Sequence, residues 1–344
     1  MMASGAANLE IELVARPDGP LRLEHFRCVE RALPELPDGQ VRVRGVLLSI
    51  DAANRGWMQG DVGYRAGVKP GEVMAGNGVG VVVESRTERY VAGDLVWTDL
   101  GWRRFTTAAP ERLRPIAPVT PLSRRLSLYG IPGNTAYHGL FSVGRVAPGE
   151  TVLISAAGGS VGLLAGQIAR HHGCRVVAVA GGADKCAWLR SEYGYDAAVD
   201  HRAPDFFTAL RAACADGVHV YFDNVGGVVL EAALRNMRPN GRIVCCGAAS
   251  QYDLGAPAGP RGVPGLLVTK RLRMEGFLVG DYADQEPAVE AQLAAWVDAG
   301  ALRALEEIHD GLESAPAALV GLLAGRNRGK VMVRLSPDPQ SGPG

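Results

Sequence analysis

Three features are scarce in this sequence: paired cysteines, long apolar runs and an excess of charge of one sign. None of the six cysteines forms a C-x-x-C pair, which excludes a zinc knuckle and a dithiol redox motif. There is no run of about 18 apolar residues and no secretory leader pattern, so no membrane span is predicted. The 36 basic residues balance the 36 acidic ones, which speaks against a nucleic-acid partner. These absences favour a cytoplasmic globular protein without membrane or nucleic-acid partners.

The length and the order of apolar runs predict two domains. A chain of 344 residues is long for a single core. Residues 1–128 carry short β-branched runs between turns, such as Val41–Leu48, and predict a β-rich domain. Residues 129–311 alternate strand and helix, which predicts a doubly wound parallel sheet of the Rossmann type within an α/β fold. Residues 312–344 contain the alternating run Val331–Leu335, expected to return to the first domain, and then a flexible tail.

A glycine-rich segment separates the predicted strand Thr151–Ser155 from the predicted helix Val161–His171. It reads Ala157-x-Gly159-x-x-Gly162, a variant of G-x-G-x-x-G with alanine first. Small residues let the backbone approach a pyrophosphate at a helix N-terminus, and the last glycine lets helix and sheet pack closely. The strand–turn–helix context predicts a dinucleotide site; the alternative is a glycine-rich turn without a ligand.

The end of the next strand indicates which dinucleotide binds. A site for NAD usually places Asp or Glu there, on the ribose 2′-hydroxyl. Here the strand ends in Gly181 and Gly182, which leave space for a 2′-phosphate, and Lys185 follows within reach. After a further strand, His201 and Arg202 could add to the phosphate pocket. The pattern favours NADPH over NADH.

Several further blocks occur in a fixed order between about residue 40 and residue 335. They are Gly130–Leu140, Ala180–Cys186, Tyr221–Gly227, Gly241–Ile243, Cys246–Tyr252, Arg273–Phe277 and Asn327–Lys330. Together they resemble the prostaglandin reductase/alkenal double-bond reductase family, a zinc-free branch of the medium-chain dehydrogenases/reductases. The resemblance implies a GroES-like catalytic domain with the Rossmann domain, NADPH as the reductant, and a homodimer formed through the Rossmann sheet edges.

Carried over position by position, the resemblance also implies a set of cofactor contacts. They are Gly159, Ser160, Val161, Gly162, Lys185, Asn224, Cys246, Gly247, Tyr252, Phe277, Val279 and Asn327. His201 stands where these enzymes often have a tyrosine near the 2′-phosphate, and an imidazole could do similar work. Gly182 completes the predicted cofactor set.

One segment departs from the family pattern. The family often has Asp-Pro-Tyr-Met-Arg-Gly where this chain reads Asp51-Ala52-Ala53-Asn54-Arg55-Gly56-Trp57-Met58. The aromatic residue is missing at Ala53, and Asn54 and Trp57 are added. We expect this change to reshape the substrate pocket, with Asn54 and Trp57 as candidate substrate contacts. For Asn54, a buried turn asparagine is the alternative.

The sequence predicts no metal site. Zinc-dependent relatives need three protein ligands, and the early domain has only His25 and Cys28 outside any ligand motif. Without a Lewis acid, reduction of an isolated ketone is harder. Conjugate reduction places the hydride on the β-carbon and spreads charge onto a carbonyl oxygen that hydrogen-bond donors can hold. We therefore predict reduction of a carbon–carbon double bond in a small α,β-unsaturated carbonyl compound.

Two tyrosines are candidate catalytic residues. Tyr252 ends the loop after a sheet strand, where ligands of open α/β sheets collect. We expect Tyr252 to donate to the carbonyl oxygen; the alternative is that it only packs on the nicotinamide ribose. Tyr64, in the loop Gly60–Gly71, is expected to cover the substrate or protonate its α-carbon. The alternative for Tyr64 is an ordinary surface tyrosine.

Two other functions stay open on the sequence alone. One is a quinone oxidoreductase on the same fold, and the other is a non-catalytic, NADPH-binding regulatory protein. The joint presence of the glycines with Lys185, Asn224 and Asn327 speaks against the second alternative.

Overall fold

A computed structural model describes residues 7–252 and 259–340 of the chain. It divides the chain into two compact units, Met1–Leu126 with Glu306–Gly344 and Ser127–Leu305. The sequence placed these boundaries after residues 128 and 311. Of the predicted flexible tail, residues 341–344 lie outside the described residues.

Most of the regular elements up to residue 126 are strands. In chain order the elements are β1 (Ala7–Leu13), β2 (Phe26–Ala32), β3 (Val41–Ile50), the short helix α1 (Ala53–Trp57), β4 (Asn77–Ser85), β5 (Leu95–Asp99), β6 (Phe105–Ala108) and β7 (Arg114–Pro115).

From residue 127 onward helices and strands alternate, and the last segment returns to the first unit. The elements up to residue 305 are α2 (Ile131–His138), β8 (Thr151–Ile154), α3 (Ser160–His171), β9 (Arg175–Ala180), α4 (Ala183–Tyr193), β10 (Ala197–Asp200), α5 (Phe206–Ala213), β11 (Val218–Asp223), α6 (Gly227–Asn236), β12 (Met237–Cys245), α7 (Val263–Lys270), β13 (Arg273–Gly276) and α8 (Glu286–Asp298). The last three are β14 (Glu306–Asp310), α9 (Ala315–Leu323) and β15 (Lys330–Arg334).

The unit Ser127–Leu305 is built on a six-stranded sheet in the order β10-β9-β8-β11-β12-β13. All neighbouring strands in it are parallel. Numbered from the first strand of this unit, the order is 3-2-1-4-5-6. Successive strands are added outward from β8 on one side and outward from β11 on the other, so the strand order reverses between β8 and β11. Buried Leu153, Val177 and Tyr221 lie in one of its cores. The predicted doubly wound Rossmann sheet is confirmed, and its switch point lies between β8 and β11.

The other unit contains a seven-stranded sheet in the order β14-β15-β3-β4-β5-β7, with β6 also pairing with β3, and a separate β1–β2 pair. Trp102 and Leu48 are among its fully buried residues. This separate sheet domain agrees with the predicted GroES-like domain. Lys330, on β15, is buried; its ammonium group donates to the Asp51 carboxylate (Nζ to Oδ1, 2.6 Å) and to the Ile50 carbonyl (3.1 Å).

Strand β14 marks the main difference from the sequence prediction, which assigned residues 129–311 to the Rossmann domain. In the structure, β14 pairs in parallel with β15, Glu306 opposite Lys330 and Asp310 opposite Arg334. The difference has a physical reason: a strand's own residues do not specify which sheet completes its hydrogen bonds. No described helix is both long enough and apolar enough to cross a membrane.

Candidate functional site

The glycine-rich turn joins the end of β8 to the start of α3. Ala156 takes a left-handed conformation (φ +49°), and Gly159 precedes the helix with extended backbone. A Cβ atom on Gly162 would lie 2.4 Å from the Ala156 carbonyl oxygen, so the helix can approach the turn only with glycine there. The first turn of a helix leaves its N–H groups without intrahelical acceptors. The first turn of α3 contains Ser160, Val161 and Gly162. Together with the glycine-rich turn before it, this helix turn has the form of a pyrophosphate-binding site.

Lys185 lies on this turn. It belongs to the first turn of α4, which begins after Gly182 (φ +95°). A Cβ atom on Gly158 would come within 2.9 Å of the Lys185 Cδ atom, so the aliphatic stem of the lysine rests on the glycine. The structure thus brings together Lys185 and the glycine-rich turn, which stand far apart in the sequence.

His201 and Arg202 lie beside the end of β9. A Cβ atom on Gly181 would meet the Arg202 Nε atom at 2.9 Å and the His201 Nε2 atom at 3.1 Å. Burial, followed by the nearby Arg202 charge, lowers the pKa of His201. Lys185 lowers it further. His201 and Arg202 therefore lie against Gly181, just after the second strand of the unit, and Lys185 lies close enough to affect the His201 pKa.

Asp200, which sequence reasoning did not single out, organises this basic cluster. Its Oδ1 atom accepts the backbone N–H groups of Gly182 (2.8 Å) and Arg202 (2.9 Å). Burial alone would raise the pKa of Asp200, but these two hydrogen bonds lower it overall. The sequence does carry a signal for Asp200. It lies two residues before Arg202, on the strand that pairs with the one ending before Gly181 and Gly182.

Asp223 and Asn224 form a hub at the switch point between β8 and β11. The Asp223 carboxylate accepts the Tyr221 hydroxyl (2.7 Å) and the backbone N–H groups of Val225 (3.0 Å) and Gly226 (2.8 Å). Burial raises the pKa of Asp223 in spite of these donors. The Asn224 side-chain amide donates to the Ser155 carbonyl at 2.8 Å. Asn224 is thus held at the carboxyl end of the sheet, next to the glycine-rich turn.

The loop that leads to Tyr252 is fastened to this hub. The backbone N–H groups of Cys246 (2.8 Å) and Gly247 (3.1 Å) both donate to the Asp223 carbonyl. Burial raises the pKa of the Cys246 thiol to about 12, so it is protonated at neutral pH and is no nucleophile. Tyr252 follows a short 3₁₀ turn, Ala249–Gln251, and is half-buried.

Phe277 and Val279 follow the end of β13. A Cβ atom on Gly139 would lie 2.4 Å from a ring carbon of Phe222 in β11 and 3.2 Å from the ring of Phe277. Phe277 therefore lies near the carboxyl ends of the central strands, on the same side as the Tyr252 loop. Val279 begins a 3₁₀ segment, Val279–Gln285, and is half-buried.

The remaining predicted residues belong to the other unit, where Trp57 and Tyr64 contact each other. The Trp57 indole N–H donates to the Tyr64 hydroxyl oxygen at 3.2 Å. Asn54 is buried; its Oδ1 atom accepts the Asp51 backbone N–H (2.7 Å) and its amide donates to the Ala75 carbonyl (3.0 Å). Asn327 is also buried, and its amide donates to the Gly329 carbonyl at 3.0 Å. Asn54 therefore lies buried in a turn, as the alternative for this residue supposed. Its role as a substrate contact stays a prediction.

The described residues contain no group of three His, Cys, Asp or Glu side chains that could hold a metal ion. The absence of a metal stays a prediction.

The sheet order, the glycine-rich turn and the separate β-domain define the class: a two-domain, dinucleotide-dependent oxidoreductase. Two family models match the chain, "N-terminal domain of oxidoreductase" over residues 10–116 and "Zinc-binding dehydrogenase" over residues 160–296.

Similar proteins narrow the class. The chain is 40% identical over 333 residues to the NADPH-dependent curcumin reductase of Escherichia coli K12, covering 95% of this chain and 96% of that protein. It is 41% identical over 308 residues to the 2-alkenal reductase (NADP⁺-dependent) of Nicotiana tabacum, covering 88% and 90%. The crystal structure of CurA with NADPH from Vibrio vulnificus superposes with a TM-score of 0.90 at 35% identity, covering 97% of this chain and 100% of that one. The chain belongs to the medium-chain dehydrogenase/reductase superfamily, in the zinc-free alkenal/prostaglandin reductase family, and the predicted resemblance is confirmed.

Proposed function

We propose that this NADPH-dependent oxidoreductase reduces the carbon–carbon double bond of a small α,β-unsaturated carbonyl compound. The observation that carries the proposal is the similarity, over almost the whole chain, to a 2-alkenal reductase and a curcumin reductase. The site supports it, because basic side chains, a helix N-terminus and a polar hub converge at the carboxyl edge of the Rossmann sheet.

The residues at this edge fit NADPH. The glycine turn from Gly159 to Gly162 would hold the pyrophosphate, since a side chain at Gly162 would occupy the space of the turn itself. Lys185, His201 and Arg202, around the open position Gly182, would hold the 2′-phosphate. The further proposed cofactor contacts at this edge are Asn224, Cys246, Gly247, Tyr252, Phe277 and Val279. Asn327, in the other unit, is a proposed cofactor contact on the family resemblance alone. When bound, NADPH supplies the hydride.

The chain's own part in the chemistry is to stabilise charge and deliver a proton. We assign the Tyr252 hydroxyl to the substrate's carbonyl oxygen, where a positioned donor stabilises the negative charge that develops during conjugate reduction. Tyr64 is the proposed source of the α-carbon proton. A positioned proton donor typically contributes about 10²–10⁴-fold to a rate.

The test follows NADPH and NADH oxidation with a panel of enals, enones and quinones and identifies each product by mass. We expect NADPH consumption with a product that has gained two hydrogen atoms and kept its carbonyl group. Turnover confined to quinones, or reduction of the carbonyl to an alcohol, would contradict the proposal. Tyr252→Phe is the matched variant, with the same ring and no hydroxyl, and should lower kcat by about 10²-fold.

We further propose that the chain forms a homodimer through strand β13. This strand is an edge of the six-stranded sheet. Exposed apolar side chains lie on it (Met274), just after it (Leu278) and in the preceding helix α7 (Val268). In an antiparallel pair of two copies centred on Met274, Arg273 of each copy faces Glu275 of the other, so the charges are complementary.

Light scattering should give a dimer for the wild type and a monomer for Met274→Asp. Val91→Asp, an exposed site in the other unit, is the control, and a monomeric wild type would contradict the proposal.

The proposed location is the cytoplasm. All six cysteines are free thiols, and burial raises the pKa of Cys174 and Cys214 to about 11, so both stay protonated at neutral pH. Such a set suits a reducing compartment. Cell fractionation that located the protein outside the cytoplasm would contradict this.

A further inference from the structure

Four side chains in the first unit form a connected assembly around Tyr64. The guanidinium of Arg65 lies over the Trp57 ring, 4.5 Å from its centroid, and forms an ion pair with Asp99. Trp57 is 5% exposed, whereas Tyr64 is 56% exposed. The Arg65 and Asp99 side chains are 23% and 47% exposed. Of the two hydrogen-bonded aromatic residues, only Tyr64 is therefore open to a ligand, and Trp57 is buried behind it.

The hydrogen bond between Trp57 and Tyr64 has only one direction. An indole N–H is a donor and cannot accept, so the Tyr64 oxygen must be the acceptor. Within the described residues, Trp57 is the hydrogen-bond partner of the Tyr64 hydroxyl. The hydroxyl proton must therefore point away from Trp57 and is available to donate elsewhere.

The loop that carries Tyr64 is itself closed. The Val62 N–H donates to the Arg65 carbonyl (3.0 Å), and the Val68 N–H donates to the Trp57 carbonyl (2.8 Å). A Cβ atom on Gly67 would lie 2.4 Å from the Gly60 backbone, so the two ends of the loop touch. Compact loops whose ends meet in this way are often functional. The loop holds Tyr64 at its tip in a defined orientation.

We infer that Trp57 is a positioning residue that orients the Tyr64 hydroxyl to protonate one face of the substrate's α-carbon; this rests on the proposed function. Addition of hydride at the β-carbon leaves an enolate. The Tyr64 O–H bond then breaks, the enolate electron pair forms the new C–H bond, and the exposed tyrosinate takes a proton from water. Arg65, fixed by Asp99, keeps the indole ring flat against the loop.

The test uses an enone or enal with a substituent on its α-carbon, reduced in D₂O, and measures kcat, KM and the configuration at the α-carbon. The wild type should deuterate one face. Tyr64→Phe should lose this selectivity and slow kcat by about 10²-fold. Trp57→Phe keeps an aromatic ring but removes the N–H, so it should lose selectivity with a kcat about 3- to 10-fold lower. KM should change less than kcat in both variants.

Two comparisons separate a positioning role from a merely structural one. The double variant should be no worse than Tyr64→Phe alone, because Trp57 acts only through Tyr64. Trp97→Phe is the matched control, since Trp97 also lies beneath an arginine, Arg114, at 5.0 Å, and it should behave as wild type.

Each result decides the inference. If Trp57→Phe keeps the selectivity and kcat of the wild type, the inference is wrong. The same result in Tyr64→Phe would also overturn it. Because Tyr64 is exposed and its substitution is tolerated, that second test does not need a folded Trp57 variant. In both cases enone reduction by the wild type would leave the proposed function standing. A wild type that reduces no enone or enal would contradict the proposed function, and this inference with it.

Discussion

At the residue scale, the basic cluster around Gly181 is the feature with the clearest chemical meaning. Lys185 comes from α4, while His201 and Arg202 follow β10, and Gly182 has open space around it. Charge-assisted hydrogen bonds to a phosphate are about twice as strong as neutral ones. We therefore propose that this cluster sets the preference for NADPH over NADH.

Lys185→Ala tests that account. Losing one charge-assisted hydrogen bond costs about 1.5–3 kcal/mol, so KM for NADPH should rise roughly 10- to 100-fold. KM for NADH, which has no 2′-phosphate, should change little. Steady-state kinetics with both cofactors measures the difference, and Lys69→Ala, an exposed lysine in the other unit, is the control. Equal losses with both cofactors would contradict the assignment.

His201 predicts a pH dependence of cofactor binding. Its pKa is lowered in the free protein by burial and by Arg202, so it is neutral at pH 7. A bound phosphate favours the imidazolium and raises that pKa, so binding takes up a proton. NADPH affinity should therefore strengthen as pH falls from neutral toward and below the ordinary histidine value of about 6.5.

The phosphate itself titrates near pH 6, so the comparison with His201→Gln isolates the histidine. Calorimetric titration at several pH values should give a steeper rise of NADPH affinity with falling pH in the wild type than in His201→Gln. Parallel curves for the two proteins would show that His201 is not coupled to binding.

At the element scale, the strand and helix on either side of the glycine-rich turn show which elements the sequence pattern predicts correctly. The helix predicted over Val161–His171 begins one residue earlier, and the strand predicted over Thr151–Ser155 ends one residue earlier. Long apolar runs with glycine between them specify such elements. Strands β1, β2 and β13 were not predicted. The sequence of β13, Arg-Met-Glu-Gly, has no apolar run, because an edge strand is stabilised mainly by backbone pairing with its neighbour.

Gly162→Ala should disrupt the turn at this scale. The new Cβ atom would meet the Ala156 carbonyl at 2.4 Å, and relief requires the α3 helix to shift. Overpacking of this kind costs about 1–3 kcal/mol, so denaturant unfolding should show a lower midpoint, together with weaker NADPH binding. The control Gly265→Ala lies in helix α7 with open space around it and should leave stability unchanged or slightly raised. Equal effects of the two variants would contradict the close-approach explanation.

At the scale of the whole molecule, the chain leaves its first unit and returns to it. Strand β15 pairs with β3 across a sequence separation of more than half the chain, and the buried Lys330–Asp51 ion pair reinforces the junction. Lys330 is 2% exposed on its side chain and Asp51 34%. The C-terminal segment thus completes the sheet of the N-terminal unit.

Lys330→Ala should weaken this junction. Removing one partner of a fully buried ion pair costs about 3–5 kcal/mol, and the partial exposure of Asp51 brings the expected loss to roughly 2–3 kcal/mol. Arg334→Ala, on the same strand, removes an exposed pair with Asp310 and should cost less than about 1 kcal/mol. Equilibrium unfolding of both variants measures the two values, and similar losses would mean that the buried pair contributes no more than a surface one.

The sequence alone indicated the alternation of elements, the dinucleotide motif and the family, because these depend on short-range periodicity and on residues close together in the chain. It also identified Lys185, His201 and Asn224 as candidates. The tertiary structure was needed to show that Lys185 rests on Gly158, that Asp200 accepts hydrogen bonds from Gly182 and Arg202, and that the Trp57 indole N–H donates to the Tyr64 hydroxyl. It likewise decided that β14 pairs with β15. These contacts depend on how strands and helices pack across long separations, which no local pattern encodes.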